Sequence, residues 1–250
     1  ATAMAAAPTQ EGHGLTGAWY RAKDGSDRND LTRFTFEESN FLGSVRTGNL
    51  NGENFRPMIA DLIGSGDDSQ FVLAQFTGEL EVPKEEAYTF YMTGDDGFRL
   101  YIDGDLVIDF WCQKWELEQK SQPVTLREGR HDIKVEYLQG WGGAWLKMEW
   151  ESPSIAREIL PESALFQSKE NYYKDAKTAL GAEIEKCERA YQNIAGSAQV
   201  KAKLEEAIQR AKDVRDQDYS DVEEVDEIIL AMNQAAAELS EIKTELYLSV

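Results

Sequence analysis

The sequence is poor in the residues that most often build thiol and imidazole centres. Its 250 residues include two histidines, His13 and His131, and two cysteines, Cys112 and Cys187. A histidine-based zinc site is therefore not expected, and two distant cysteines define neither a metal site nor a disulfide framework. Nothing in their spacing requires a disulfide, so the state of both cysteines stays open.

Basic residues are also scarce, with 26 Lys and Arg against 46 Asp and Glu, for a net charge of −20. Such a surface repels nucleic acids and anionic membranes, whereas clustered acids suit cation binding. The sequence has no run of about 18 apolar residues, which predicts no membrane insertion. The opening residues lack the basic and apolar regions of an intact signal peptide, and we interpret residues 1–13 as a disordered or cloning-derived tail.

Familiar catalytic motifs are missing as well. The sequence contains no Gly-x-Ser-x-Gly nucleophile elbow, no phosphate-binding loop, no His-Glu-x-x-His and no Cys/His pairing. Glycoside hydrolysis needs two carboxyl groups about 5–5.5 or 6.5–9.5 Å apart across a cleft, and adjacent aspartates aimed at one ion do not supply this. We predict no enzymatic activity for this chain.

The second part of the chain lacks the residues that punctuate β-structure. All six Pro, all six Trp and all ten Phe precede Ser168, and only Gly181 and Gly196 of the 19 glycines follow it. Aromatic, turn-rich sequence is typical of β domains, whereas long Ala, Glu and Lys-rich sequence is typical of helices. The prediction is an antiparallel β-sandwich or barrel over residues 14–167, followed by an all-α three-helix bundle over residues 168–250.

Apolar periodicity supports both assignments. Residues alternate with period two in five predicted strands, whose core-facing positions include Tyr88, Phe90, Met92, Phe98, Leu100, Ile102, Leu106, Ile108, Phe110, Ile133, Val135, Leu146 and Met148. After Ser168, apolar residues step by three and four in three stripes. Cys187 lies on the first stripe and is predicted to be a buried small hydrophobe. Ser220 and Glu223 fit a capping box for the third helix.

The stretch Thr93–Gly104, TGDDGFRLYIDG, contains two Asp-Gly steps. The second, Asp103-Gly104, predicts a hairpin turn between alternating strands. The first carries an extra carboxylate, Asp95, directly before Asp96. One interpretation is a four-residue hairpin loop, since Asp and Gly favour such loops. The other is a binding site at a rigid strand end.

Three segments together resemble one family, the protective-antigen-type domain, often called PA-fourteen. They are GLTGAWY (Gly14–Tyr20), FTGELEVPKEEAYTFYMTGDDGFRLYIDGDLVIDFW (Phe76–Trp111) and VTLREGRHDIKVEYLQGWGGAWLKMEW (Val124–Trp150). The resemblance implies a β-sandwich in a mostly extracellular, often carbohydrate-binding protein. The helical part resembles the FIVAR module, which implies a spacer or binding addition. Together they imply a fragment of a larger secreted carbohydrate-active protein.

The resemblance also implies a site. In lectin-like relatives two adjacent aspartates, joined by a cis peptide, bind one calcium ion whose shell is completed by sugar hydroxyls, and Asp95 and Asp96 match those positions. These relatives add an Asn from a later loop, but here that loop, Leu138–Gly143, contains none. Gln139 or backbone carbonyls are the alternatives. Trp141 offers an aromatic face to a sugar, if it does not fold back over the core.

Trp115 and Gln113 are further candidates for the rim of the same site. Two other acidic stretches, Asp67-Asp68 and Asp27–Asp30, are interpreted as solvated loops. Three functions stay open: a non-catalytic carbohydrate-binding module that targets a larger secreted glycosidase or adhesin to glycans, an accessory domain pair that shapes or spaces a neighbouring catalytic domain without binding sugar, and protein–protein adhesion. Expected partners are a glycan and adjacent domains of a parent protein.

Overall fold

A computed structural model describes residues 12–64, 70–217 and 224–250 of the protein. The chain divides into two compact units, of which one is His13–Ser168 and the other contains Lys169–Val250. An antiparallel β-sandwich forms the first unit and three helices follow it in the second, so the predicted fold class is confirmed.

The strands of the first unit are short and joined mostly by turns, as its glycine and proline content predicts. In chain order they are β1 (Leu15–Arg21), β2 (Phe41–Thr47), β3 (Val72–Val82), β4 (Glu86–Asp95), β5 (Phe98–Ile102), β6 (Asp105–Phe110), β7 (Gln119–Lys120), β8 (Val124–Leu126), β9 (Gly129–Gln139), β10 (Trp145–Ser152), β11 (Ile155–Ile159) and β12 (Leu165–Phe166). A short helix, α1 (Arg56–Ile63), lies between β2 and β3.

These strands form two antiparallel sheets. The first has the order β2-β1-β3-β9-β5-β6, with β12 also paired to β3. The second has the order β11-β10-β4-β7, with β8 also paired to β4. Their facing sides bury one apolar core, in which the largest fully buried side chains include Trp19, Tyr88, Tyr137, Phe76, Phe90 and Phe98. The alternation predicted for β4, β5, β9 and β10 is confirmed, because their inward residues are all buried.

Strand β6 departs from the predicted alternation. Ile108 is buried, but Leu106 is 47% exposed although it was expected on the same face. The pairing register with β5 shifts so that Leu100 faces Ile108 whereas Tyr101 faces Leu106. This bulge places one extra residue in β6, so the strand changes the face that its side chains occupy. The prediction that Leu106 lies in the core is therefore wrong.

The second unit contains α2 (Lys169–Asn193), α3 (Ala198–Arg215) and α4 (Glu224–Leu248). Their apolar stripes form one core, and Cys187 is fully buried within it, as predicted. The sulfur of Cys187 lies 3.6 Å from the carbonyl oxygen of Leu239. The predicted capping box, Ser220 with Glu223, lies outside the described residues.

Both cysteines are free thiols. Within the residues that the structure describes, no helix is both long and apolar enough to cross a membrane.

Glu86, at the start of β4, forms hydrogen bonds with the turn between β10 and β11. Its carboxylate accepts hydrogen bonds from the hydroxyls of Ser152 (2.7 Å) and Ser154 (2.6 Å), and Lys84 lies 3.1 Å away. These hydrogen bonds, led by that of Ser154, lower the pKa of Glu86 to about 2. Because the folded pKa is below the unfolded value, this carboxylate stabilises the fold above pH 4.5, and the contribution is lost as the pH falls toward 2.

We therefore expect Glu86→Gln to destabilise the β-sandwich at neutral pH, with the deficit shrinking as the pH falls from about 4.5 toward 2. Urea unfolding followed by tryptophan fluorescence measures this, because all six tryptophans lie in the first unit. Glu85→Gln, at the exposed neighbouring position, is the control. A deficit that is constant from pH 7 to pH 2 would contradict the assigned hydrogen bonds.

Candidate functional site

The Asp95-Asp96 pair lies where the chain crosses from one sheet to the other. Asp95 is the last residue of β4, in the second sheet, and β5 begins at Phe98, in the first sheet. Because β4 and β5 do not pair, the hairpin interpretation of this Asp-Asp-Gly segment is wrong. The Asp95-Asp96 peptide bond is cis, as the family resemblance implies. The second Asp-Gly step is a hairpin turn, as predicted, and its residues Asp103 and Gly104 both have positive φ.

Asp96 is the buried member of the pair, with only 4% of its surface exposed. The backbone N–H of Gly140 donates to its Oδ2 at 2.7 Å. Burial raises the pKa of Asp96 to about 7, and the adjacent charge of Asp95 adds to the increase. The two carboxyl groups are close enough to share a hydrogen bond. A pair this close holds a proton near neutral pH unless a cation balances its charge.

Asp95 is held by contacts from three directions. Its backbone carbonyl oxygen accepts a hydrogen bond from the hydroxyl of the buried Tyr137. Its backbone forms an isolated bridge with Trp115. Gly143 approaches so closely that a Cβ there would lie 2.5 Å from Asp95 Oδ2. Burial raises the pKa of Asp95 as well.

Two glutamines beside this pair have buried amide oxygens, although only Gln139 is buried as a whole residue. Gln139 is fully buried, and its Nε2 donates to the carbonyl oxygen of Gly142 at 3.2 Å. Gln113 donates from Nε2 to the carbonyl oxygen of Arg28 at 2.6 Å. The Oε1 atoms of both side chains are buried and make no hydrogen bond within the described protein. Buried oxygens of this kind normally have a partner.

The two candidate tryptophans are exposed at the surface beside the pair. Trp115 is 61% exposed and Trp141 is 40% exposed. Trp141 does not fold over the core; instead its ring lies 6.2 Å from that of Phe71 and 5.7 Å from the guanidinium carbon of Arg28. Exposed tryptophans are uncommon, so two at one place are a candidate binding surface.

Three loops therefore meet at the crossover, and they bring all six predicted residues together. The loop after β6 provides Gln113 and Trp115, the end of β9 and the loop after it provide Gln139 and Trp141, and the crossover itself provides the aspartates. Four further residues were missed: Gly140, Gly143, Tyr137 and Arg28. The glycine-rich loop after β9 was a usable signal, since glycine permits close backbone approach. Nothing in the sequence singled out Tyr137 or Arg28.

The other acidic stretches have different outcomes. Asp27–Asp30 is a loop, as predicted, in which the carboxylates accept local backbone hydrogen bonds from Asn29 and Thr32. The pair Asp67-Asp68 lies outside the described residues.

The donor set beside the crossover suits a hard cation. No group of three or more His, Cys, Asp and Glu side chains that could hold a metal occurs in the described parts of the chain. A cation at Asp95-Asp96 would therefore need neutral oxygens as well. The unpartnered Oε1 atoms of Gln113 and Gln139 are oxygens of that kind. Carboxylate and amide oxygens are the ligands that calcium takes, so the residues present fit this ion.

The chain belongs to the PA14 domain family, whose sequence model matches residues 27–164, more than half of its length. A curated relative, the anti-sigma-I factor RsgI3 of Acetivibrio thermocellus, is 40% identical over 94 residues. That match covers 38% of this chain but only 15% of the relative, so the chain spans a small part of that protein.

Two solved structures share the fold. A PA14 sugar-binding domain from an RTX adhesin has a TM-score of 0.51 at 22% identity, with 63% of this chain and 99% of that chain covered. The PA14 domain of the MpAFP antifreeze protein also has a TM-score of 0.51, at 15% identity, with 66% of this chain and 95% of that chain covered.

Proposed function

We propose that this chain is a non-catalytic carbohydrate-binding module whose binding depends on calcium. The observation that carries the proposal is the placement of two convergent carboxyl groups, Asp95 and Asp96, beside the exposed Trp115 and Trp141. Membership of the PA14 family supports it, as does the likeness in fold to a sugar-binding adhesin domain.

Asp95 and Asp96 would hold the calcium ion. When bound, the ion offers open coordination positions to neutral oxygen donors such as vicinal sugar hydroxyls. The protein supplies the negative charge and a fixed direction of approach: Gly140 and Tyr137 position the two aspartates, and the close backbone of Gly143 covers one side. A site held this rigidly loses little entropy when a ligand binds.

The tryptophans would provide the apolar part of the surface. A pyranose ring has an apolar face of C–H groups, which packs against an exposed aromatic ring. Ligand sites combine such apolar surface with a few fixed polar groups, and here the polar groups are the two aspartates and the two glutamines. The amide oxygens of Gln113 and Gln139 are buried, so these two side chains supply polar atoms below the surface and not at its outer edge.

The chain would act within a larger secreted protein at the cell surface or outside the cell. In that setting α2–α4 would form a FIVAR-like spacer, and the β domain would bring the parent protein to a glycan. No catalytic role is assigned to this chain itself.

A second candidate for the parent is a regulator, because the curated relative is an anti-sigma-I factor. In that case glycan binding would serve detection of a carbohydrate instead of recruitment of an enzyme. The flanking sequence of the gene distinguishes the two, since a catalytic domain supports recruitment and a regulatory domain supports detection.

A glycan array probed with the chain in calcium and again in EDTA tests the proposal. We expect binding in calcium and its loss in EDTA. Binding to no glycan under either condition would reject the carbohydrate-binding function and favour an accessory structural role. Binding that persists in EDTA would reject the calcium dependence alone.

The aromatic surface is tested separately on the glycan that the array identifies. Trp141→Ala and Trp115→Ala should each weaken binding by about 2 kcal/mol, roughly 30-fold, as truncation of a contact tryptophan typically does. Tyr247→Ala, which removes an exposed aromatic ring from the helical unit, is the control. Unchanged affinity in both tryptophan variants would exclude the aromatic surface.

A further inference from the structure

The orientation of the Gln139 amide is fixed by its partner. The amide nitrogen lies 3.2 Å from the carbonyl oxygen of Gly142, which can only accept a hydrogen bond. The NH2 group must therefore face Gly142, and the amide oxygen must face the other way. That oxygen is buried and has no partner within the described protein.

Gln113 is oriented by the same logic from a different loop. Its NH2 group donates to the carbonyl oxygen of Arg28 at 2.6 Å, and this also leaves the amide oxygen buried and unpartnered. The two glutamines therefore share one arrangement. Each amide nitrogen donates to a loop carbonyl oxygen, and each amide oxygen is buried without a hydrogen-bond partner. A buried acceptor without a partner destabilises the fold.

Both glutamines adjoin Gly140, the glycine whose backbone contacts the carboxylate of Asp96. A Cβ on Gly140 would lie 3.1 Å from Asp96 Oδ2 and 3.4 Å from the amide carbon of Gln113, so both groups pack close to that glycine. Gln139 directly precedes Gly140, whose N–H donates to the same Asp96 oxygen. The Gln139 amide donates to Gly142, in the same loop as Gly143, which lies close to the carboxylate of Asp95.

We infer that the amide oxygens of Gln113 and Gln139 are neutral ligands of the cation that Asp95 and Asp96 bind. This inference rests on the calcium site of the proposed function. It explains how the site works without an Asn in the loop after β9, because two amide oxygens replace one. It also links the ion to the two loops that carry Arg28 and Trp141, since the amide nitrogens hold the backbones of those loops.

Terbium luminescence tests the inference directly. Tb3+ replaces calcium at oxygen-rich sites, nearby tryptophans sensitise its emission, and its lifetimes in H2O and D2O count the bound waters. Gln113→Met and Gln139→Met keep the side-chain length but remove the oxygen. Each should add about one bound water and weaken Tb3+ and Ca2+ binding about tenfold or more.

Two further sets of variants separate ligation from simple positioning. Gln113→Glu and Gln139→Glu keep an oxygen in place but lose the NH2 donor, so they should retain affinity without an added water. A positioning role predicts the opposite, because the donor is then what matters. Gln119→Met is the matched control: its Nε2 also donates to loop carbonyls, those of Leu117 and Glu118, and the variant should leave the water count unchanged.

The outcomes distinguish ligation by the two glutamines from the calcium site at Asp95 and Asp96 on which it rests. If the wild-type protein binds neither Ca2+ nor Tb3+, the calcium site itself fails. If the wild type binds and a Met variant keeps the wild-type affinity and water count, that glutamine is not a ligand. If a Glu variant loses affinity as its Met partner does, that glutamine acts through its nitrogen and the inference is overturned for it.

Discussion

Asp96→Asn is expected to abolish calcium-dependent glycan binding without destabilising the calcium-free protein. The substitution removes one of two carboxylates that supply the site's charge, and calcium affinity depends strongly on that charge. The amide oxygen of Asn can still accept the hydrogen bond from Gly140, so the local backbone keeps its partner. The buried negative charge beside Asp95 disappears, which relieves a repulsion.

The pKa of Asp96 determines whether Asp96→Asn is more or less stable than the wild type at a given pH. The pKa of Asp96 is about 7 in the folded protein against an ordinary 3.8, so between these values the folded state binds more protons than the unfolded state. In EDTA, the contribution of this carboxyl group to the free energy of unfolding of the wild type therefore decreases as the pH rises from about 4 to about 7. Asp96→Asn lacks that loss, and its advantage over wild type should grow across the same range.

Calorimetric titration with calcium and urea unfolding followed by tryptophan fluorescence measure the two effects. Asp109→Asn removes an exposed aspartate of β6 and is the matched control for the change in net charge. Calcium affinity equal to that of wild type would remove Asp96 from the site. Lower stability at pH 7 would show that Asp96 is a structural carboxylate instead.

The fold was predictable because its signals are local. Strands such as β4 and β5 alternate with period two, the helices step by three and four, and both patterns follow from where successive side chains point. Leu106 shows the limit. Its exposure depends on a bulge that the pairing of β5 with β6 creates, and the alternation within β6 contains no sign of that bulge.

The candidate site was predictable only in part, for the same reason. Asp95 and Asp96 were identified through a family resemblance, and their local sequence equally suited a hairpin. The hairpin and the binding site are distinguished by the pairing of β4 with β10 and of β5 with β9, whose partner residues lie roughly 30 to 60 positions apart in sequence. Tyr137 reaches the site through the same long-range pairing, and Arg28 through the hydrogen bond from Gln113, so no local pattern indicated these two residues.

Gly97 and Gly104, the two glycines of TGDDGFRLYIDG that follow an aspartate, illustrate the difference and provide a sharp prediction. Both were expected in turns. Gly104 has a φ of +84° with open space around it, whereas Gly97 is buried against the strand end at Cys112. A Cβ on Gly97 would lie 2.6 Å from both Cys112 N and Phe110 O, and closer still to Cys112 O. Because these are backbone atoms, no side chain can move aside.

Gly97→Ala should therefore destabilise the β-sandwich by about 3 kcal/mol or more, at the upper end for overpacking, and lower its unfolding temperature by about 6–12 °C. Gly104→Ala should cost only about 1–2 kcal/mol, because its penalty is the left-handed backbone alone. Tryptophan fluorescence during urea unfolding measures both in the β-sandwich alone. Equal costs would mean that Gly97 is a turn glycine after all, whereas a larger cost at Gly97 with weakened calcium binding would show that the crossover aims the two carboxylates.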